Sequence, residues 1–207
     1  MRGLFSSMAR SIKRAKPARE QLKRYYLLCE GKNTEPEYFQ NLVDHFQAAN
    51  IAIFIVPAAG APQTIAGKAD GIRNNRNKKT SFEEGDEIWA IFDRDTHEHY
   101  EASRAVCGQK GINVAYSDPC FELWLILHHH AIHAPGTHHQ IQKKFEELDP
   151  NYKSTGGKRC NFALLANNVE VAENNARSLL TARAAEGRPE SCPSTTVHNL
   201  TVKLRGG

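Results

Sequence analysis

The sequence predicts an α/β protein whose mostly parallel sheet is flanked by helices and followed by a C-terminal helical extension. Three observations predict it. Four short apolar runs recur between Tyr25 and Tyr116, each followed by a helical pattern. Three of them are apolar throughout, as strands covered on both faces by crossover helices are. Acidic residues stand directly after two of them, at the strand ends where such sheets bind ligands.

The first run, Tyr25–Cys29, stops at Glu30-Gly31. Thr34 and Glu37 then have the spacing of a capping box, with Pro36 tolerated in the first turn. The helix they open places Tyr38, Phe39, Leu42, Val43 and Phe46 on one face. Ile51–Val56 is the second strand, closed by Pro57, and a polar helix is expected over Gln63–Lys78. The third strand, Ile88–Phe92, runs into Asp93-Arg94-Asp95; a helix over His97–Gln109 and a fourth strand over Ile112–Tyr116 follow.

Asp118-Pro119 reads as an N-cap followed by proline at the first helical position, opening an almost wholly apolar helix over Cys120–His130. After Pro135-Gly136 the pattern predicts a polar helix at His138–Leu148, a Lys/Gly-rich loop at Lys153–Lys158 and a long helix over Asn161–Ala185. A last short helix is expected within Ser194–Leu204. The expected divisions are a flexible basic arm over 1–24, an α/β core over 25–134 and a helical extension packed on it over 135–207.

Composition narrows the function classes. The 207 residues carry a formal charge of +4 and are 40% hydrophobic, which suits a globular chain rather than a disordered one. The charge is unevenly placed. Residues 1–24 hold eight Lys/Arg against Glu20, about +7, which leaves about −3 for the rest. A uniformly basic nucleic-acid-coating protein is not expected. The five cysteines show no CxxC pair, which disfavours a disulfide framework or a structural zinc finger. No apolar run is long enough to span a bilayer, and Met1–Arg24 lacks the apolar centre of a signal peptide. The expectation is a cytoplasmic protein with no membrane partner.

Asp93 and Asp95, two residues apart after an apolar strand, repel one another unless a cation lies between them. Mg²⁺, with Mn²⁺ as a substitute, takes such hard oxygen ligands; a turn in which Asp93 caps the next helix is the competing reading. Glu30 adds a third carboxylate from another strand end, and Gly31 beside it permits close approach of backbone or phosphate. Glu122 is the one charge among Phe121–Leu127. A buried carboxylate must be paired, protonated or metal-bound, so Glu122 reads as part of a site or as the partner of a basic group or of its own helix's first amides.

The histidines carry less. His128–His130, His133, His138 and His139 follow no zinc-ligand pattern; His128, nearest the apolar helix, is the one retained as a site candidate. Lys13 and Arg14 in the arm, and Arg73 and Arg76 further on, are candidate phosphate contacts, as is Lys32 after Glu30-Gly31. Each of these basic groups also reads as a solvated face. Together with the carboxylates they point to a polyanionic substrate, a nucleic acid.

The blocks Cys29–Phe39, Phe92–Asp95, Ser117–His128 and Pro193–Leu200, in this order, resemble the RloB-like family from about Arg24 to Leu204. That resemblance implies a Toprim-type fold and a place in bacterial abortive-infection or phage-resistance systems. It implies Glu30 as general acid/base, Asp93 and Asp95 as Mg²⁺ ligands, and Glu122 as a ligand to a second metal. Thr34, Glu35, Asp118 and His128 fall in the same blocks as supporting residues; Asp118 stands where asparagine is commoner. The expected activity is Mg²⁺-dependent cleavage of RNA, tRNA included, or DNA, with a defence-system ATPase as a conceivable partner. Two other readings remain open: a non-catalytic sensor or scaffold of a defence system, and a haloacid-dehalogenase-like phosphatase. Against the phosphatase, its Asp-x-Asp belongs on the first strand, and no downstream acidic pair is evident.

Overall fold

A computed structural model of the chain describes residues 22–48, 50–57, 62–75, 82–94 and 100–206. Its centre is a five-stranded sheet of β1 (Lys23–Cys29), β2 (Ile51–Val56), β3 (Glu87–Asp93), β4 (Asn113–Asp118) and β5 (Ser194–Thr195). The strand order is β2-β1-β3-β4-β5, parallel except for β5. Among the described residues, seven α-helices accompany it: α1 (Thr34–Phe46), α2 (Pro62–Arg73), α3 (Tyr100–Gln109), α4 (Glu122–Ile126), α5 (His138–Leu148), α6 (Val169–Ala185) and α7 (His198–Leu204). None is long and apolar enough to cross a membrane.

The continuous apolar strands have the physical reason inferred for them. Side chains alternate across a strand, and both faces of this sheet are covered. Tyr25, Leu27 and Cys29 of β1, with Trp89 and Ile91 of β3, face the larger cluster, built from α1, α4, α5, α6 and α7. Tyr26 and Leu28, with Ile88, Ala90 and Phe92, face the smaller one, built on Ile65 and Ala69 of α2 and Tyr100 and Cys107 of α3. Segments after Pro135 thus share one core with the first strands: Ile141, Phe145, Tyr152, Leu179 and Leu200 join Tyr38 and Trp124.

Several local expectations are corrected. Thr34 is no capping residue. It is the first residue of α1, Asn33 stands at the cap position without a side-chain capping bond, and the Thr34 hydroxyl donates to the Lys158 carbonyl 124 residues away. Asp118 is not an N-cap either: it ends β4, its bond to Pro119 is cis, and the helix opens at Glu122. That helix has five residues. The Leu127 carbonyl at its end accepts from Asn175 Nδ2 of α6 at 2.8 Å, a tertiary partner in place of a further helical turn. The long helix predicted from Asn161 begins at Val169, after two short 3₁₀ turns. Ser194–Thr195, expected in a helix, is instead an antiparallel edge on β4, held also by Thr195 Oγ1 donating to the Tyr116 carbonyl at 2.9 Å.

The topology places the site. From β1 one crossover leads outward to β2 and the next leads back past β1 to β3. Where connections diverge in this way, neighbouring strands leave a crevice beyond their carboxyl ends. Glu30 and Asp93 stand at the two sides of it.

Candidate active site

Glu30 follows β1 directly, and its backbone N–H continues the ladder to the Ile91 carbonyl at 2.9 Å. Its side chain turns across the crevice, where Oε2 accepts from the Asp93 backbone N–H at 3.1 Å. Gly31 then lets the chain turn into α1 while Glu35 folds back: Glu35 Oε1 accepts from the Gly31 N–H at 3.2 Å. A Cβ on Gly31 would overlap the Glu35 carboxylate, with the carboxyl carbon 2.6 Å away. Glycine here leaves the room into which the Glu35 carboxylate folds; a larger residue would displace that carboxylate. Glu122, at the start of α4, enters from beyond β4.

These four carboxylates line one cavity of about 450 Å³. Lys32, Asn33, Thr34, His138, Ser154, Thr155, Gly157 and Lys158 complete its walls. Acid is concentrated on the strand-end side, and lysines and hydroxyls stand on the loops around it. The Lys153–Lys158 loop is tied to the start of α1: Asn33 Nδ2 donates to the Gly157 carbonyl at 2.8 Å, beside the Thr34–Lys158 bond. Glu146 holds the loop's other side, accepting from the Ser154 N–H at 2.7 Å and from its hydroxyl at 2.6 Å.

Crowding of acids in a dry place has a measurable consequence. Burial, then repulsion from Glu122 and Glu30, pushes the Glu35 carboxyl up to about 7. Burial, then Glu35, Glu122 and Glu30, pushes Asp93 well above the usual carboxylate range. Among the described residues, neither of them nor Glu122 has an ion-pair partner. Glu122, 3% exposed, is held by neutral donors instead. The Tyr152 hydroxyl and Gln142 Nε2 both donate to its Oε1, the latter at 3.2 Å. The alternative reading, a basic partner or first-turn amides, is not met: among the described residues neutral side-chain donors hold the carboxylate.

The structure brings together Glu30, Lys32, Thr34, Glu35, Asp93 and Glu122. It does not bring His128 there. His128 is 1% exposed in the core, its Nδ1 donating to the Trp124 carbonyl at 3.0 Å and its Nε2 accepting from the Tyr38 hydroxyl at 3.1 Å. Burial lowers its pKa to about 4, so it stays neutral. The histidine at the cavity is His138. Asp118 faces a separate cavity with Pro119 and Pro135 and lies 3.6 Å from the Arg94 guanidinium. Arg73 ends α2 and donates to the Gly111 carbonyl at 3.2 Å, just ahead of β4, which puts it at the opposite edge of the sheet. Asp95, Arg76, Lys13 and Arg14 lie outside the described residues.

Sequence reasoning missed His138, Gln142 and Tyr152. One local signal pointed to the first. Thr137 and Gln140 form a full capping box, with the Gln140 side chain accepting from the Thr137 N–H at 2.8 Å, and it fixes His138 as the first residue of α5. Nothing local announces Tyr152, whose partner Glu122 lies 30 residues earlier.

A family model described as RloB-like protein matches residues 25–204, most of the chain. No curated protein and no solved structure matches it.

Proposed function

We propose, for a chain that belongs to the RloB-like family, that the carboxylate cavity is the active site of a Mg²⁺-dependent nuclease cleaving phosphodiester bonds of RNA or DNA. The observation that carries this reading is the convergence of Glu30, Glu35, Asp93 and Glu122 from separate elements on one cavity at the β1/β3 crevice. Such a set is self-repelling without a cation, and its oxygens suit a hard one. Glu30, Asp93 and Glu122 would hold the ion, joined by Asp95 in the family reading. When bound, Mg²⁺ neutralises charge on a scissile phosphate and lowers the pKa of an attacking water.

The chain's own groups do the rest. Glu30 is fixed through Oε2 to the Asp93 amide, which positions its carboxylate to move a proton at the cavity. Glu35, with its pKa of about 7, holds a proton it can exchange at neutral pH. Lys32 and Lys158, with the Ser154 and Thr155 hydroxyls, line the cavity where phosphate groups on either side of the scissile bond would lie. An Asp93 nucleophile, as a phosphatase would need, is disfavoured by burial among three other carboxylates. Through the family we assign the nuclease to anti-phage abortive infection in the cytoplasm, with nucleic acid as substrate and a defence-system ATPase as protein partner.

The test is to incubate the purified chain with tRNA, single-stranded DNA and duplex DNA, with Mg²⁺ or EDTA, alongside Asp93→Asn. Cleavage that needs Mg²⁺ and is lost in the variant is the expected result. Cleavage surviving both EDTA and the substitution overturns the reading, and no cleavage of any substrate favours a sensor or scaffold.

A further inference from the structure

Cys120, Glu122 and His138 each bring one ligand atom to within 4.8 Å of the other two, and we infer that they form a second, chemically different metal site for a borderline-soft divalent ion of the zinc class. This goes beyond the nuclease reading, with which it shares Glu122 as a ligand.

The donor set selects the metal. A thiolate and an imidazole are poor ligands for Mg²⁺, which takes oxygen, and good ones for Zn²⁺ and its neighbours Co²⁺ and Fe²⁺. With Zn–S near 2.3 Å and Zn–N near 2.0 Å, a tetrahedral ion needs sulfur and nitrogen about 3.5 Å apart. The three ligand atoms, within 4.8 Å of one another, need only close by about an ångström around an ion. Three protein ligands leave a fourth position open, the arrangement of a reactive rather than a purely structural zinc. Glu122 and His138 line the cavity and Cys120 lies fully buried behind them, so the open position faces the cavity.

The surroundings hold these ligands as outer partners of a metal site do. Gln142, one turn beyond His138 on α5, uses its two amide protons on both ligands: Nε2 lies 3.2 Å from Glu122 Oε1 and 2.6 Å from His138 Nε2. An amide nitrogen only donates, so His138 Nε2 is the acceptor and carries no proton; an ion would take that lone pair in place of Gln142 and leave Gln142 on Glu122. The Thr137–Gln140 capping box pins the start of α5 beneath His138, and the Tyr152 hydroxyl orients Glu122 through the same Oε1. Glu122 is also a buried carboxylate held by neutral donors and without a cationic partner among the described residues, and a bound cation would offset its burial.

The test uses the full chain without an affinity tag, stripped of metal and titrated with Co²⁺, whose thiolate complexes absorb in the near ultraviolet. We expect about one Co²⁺ per chain with a thiolate charge-transfer band that Zn²⁺ displaces. Cys120→Ser removes the band, His138→Ala weakens binding at least about tenfold, and Asp93→Asn keeps the band. Absence of the band in the unaltered chain, its survival in Cys120→Ser, or undiminished affinity in His138→Ala overturns the proposal. Because Cys120 is fully buried, its variant is compared at matched circular dichroism; His138, only half-buried, reads the same site without disturbing the core. Loss of the band in Asp93→Asn would merge the two sites and overturn their separateness. None of these readouts depends on nucleic-acid cleavage.

Discussion

The Glu30 carboxylate accepts a 3.1 Å hydrogen bond from the backbone N–H of Asp93, joining the end of one strand to the end of its neighbour. The bond spans the point where the crossovers diverge. It keeps one acid in a fixed position over another, and the repulsion within the cavity follows from that.

Asp93→Asn therefore removes a charge that its neighbours oppose. At pH 8 in EDTA the variant is expected to melt above the unaltered protein, by about 2–4 °C for each kcal/mol of repulsion relieved. Mg²⁺ should raise the melting temperature of the unaltered protein by mass action and that of the variant much less. Differential scanning fluorimetry checks both; a variant that melts lower in EDTA contradicts the repulsion.

Glu35 makes stability depend on pH in a stated direction. Its carboxyl is raised from 4.5 to about 7, so the folded state binds the proton more tightly than the unfolded state. The associated stability is present below about pH 4.5 and is lost as pH rises through about 7, on the order of 3 kcal/mol in all. Metal-free protein should unfold more readily in urea at pH 8 than at pH 5.5, and Glu35→Gln should flatten that slope.

Tyr152→Phe deletes a hydroxyl donated to the buried Glu122. Leaving that carboxylate short of a donor is expected to cost about 1–3 kcal/mol. Chemical denaturation measures it. Combining Tyr152→Phe with Glu122→Gln should cost less than the two single changes summed, because the pair is coupled. Strict additivity would mean that the tyrosine only fills space.

Lys32 and Arg73, both candidate phosphate contacts by sequence, should separate in a binding assay. Lys32 lines the cavity, whereas Arg73 lies at the far edge of the sheet. Lys32→Ala is expected to weaken nucleic-acid binding and reduce the slope of log K against log salt by about 1. Arg73→Ala should leave the slope unchanged.

Glu30 and Asp93 were legible because the signal is local. An apolar run that stops at a carboxylate marks a strand end whatever the rest of the chain does, and parallel sheets bind ligands at that edge. Glu122 was legible for a similar reason, as one charge in a segment that demands burial. The choice of histidine was not. His128 adjoins the apolar helix in sequence, yet its ring turns inward to Tyr38 and Trp124, while the polar segment containing His138 folds back over the cavity.

By itself the sequence determined the α/β class, the first four strands and the acids that end two of them, because alternating burial and helical periodicity are written over a few residues at a time. The tertiary structure alone decided what surrounds those acids. It placed Tyr152 and Gln142 on Glu122, seated Lys158 against Thr34, added Ser194–Thr195 to the sheet, and sent Arg73 to the opposite edge. Each of these depends on how long connections return to the sheet, and the energy that selects the return is spread over the whole core rather than carried by any short stretch of chain.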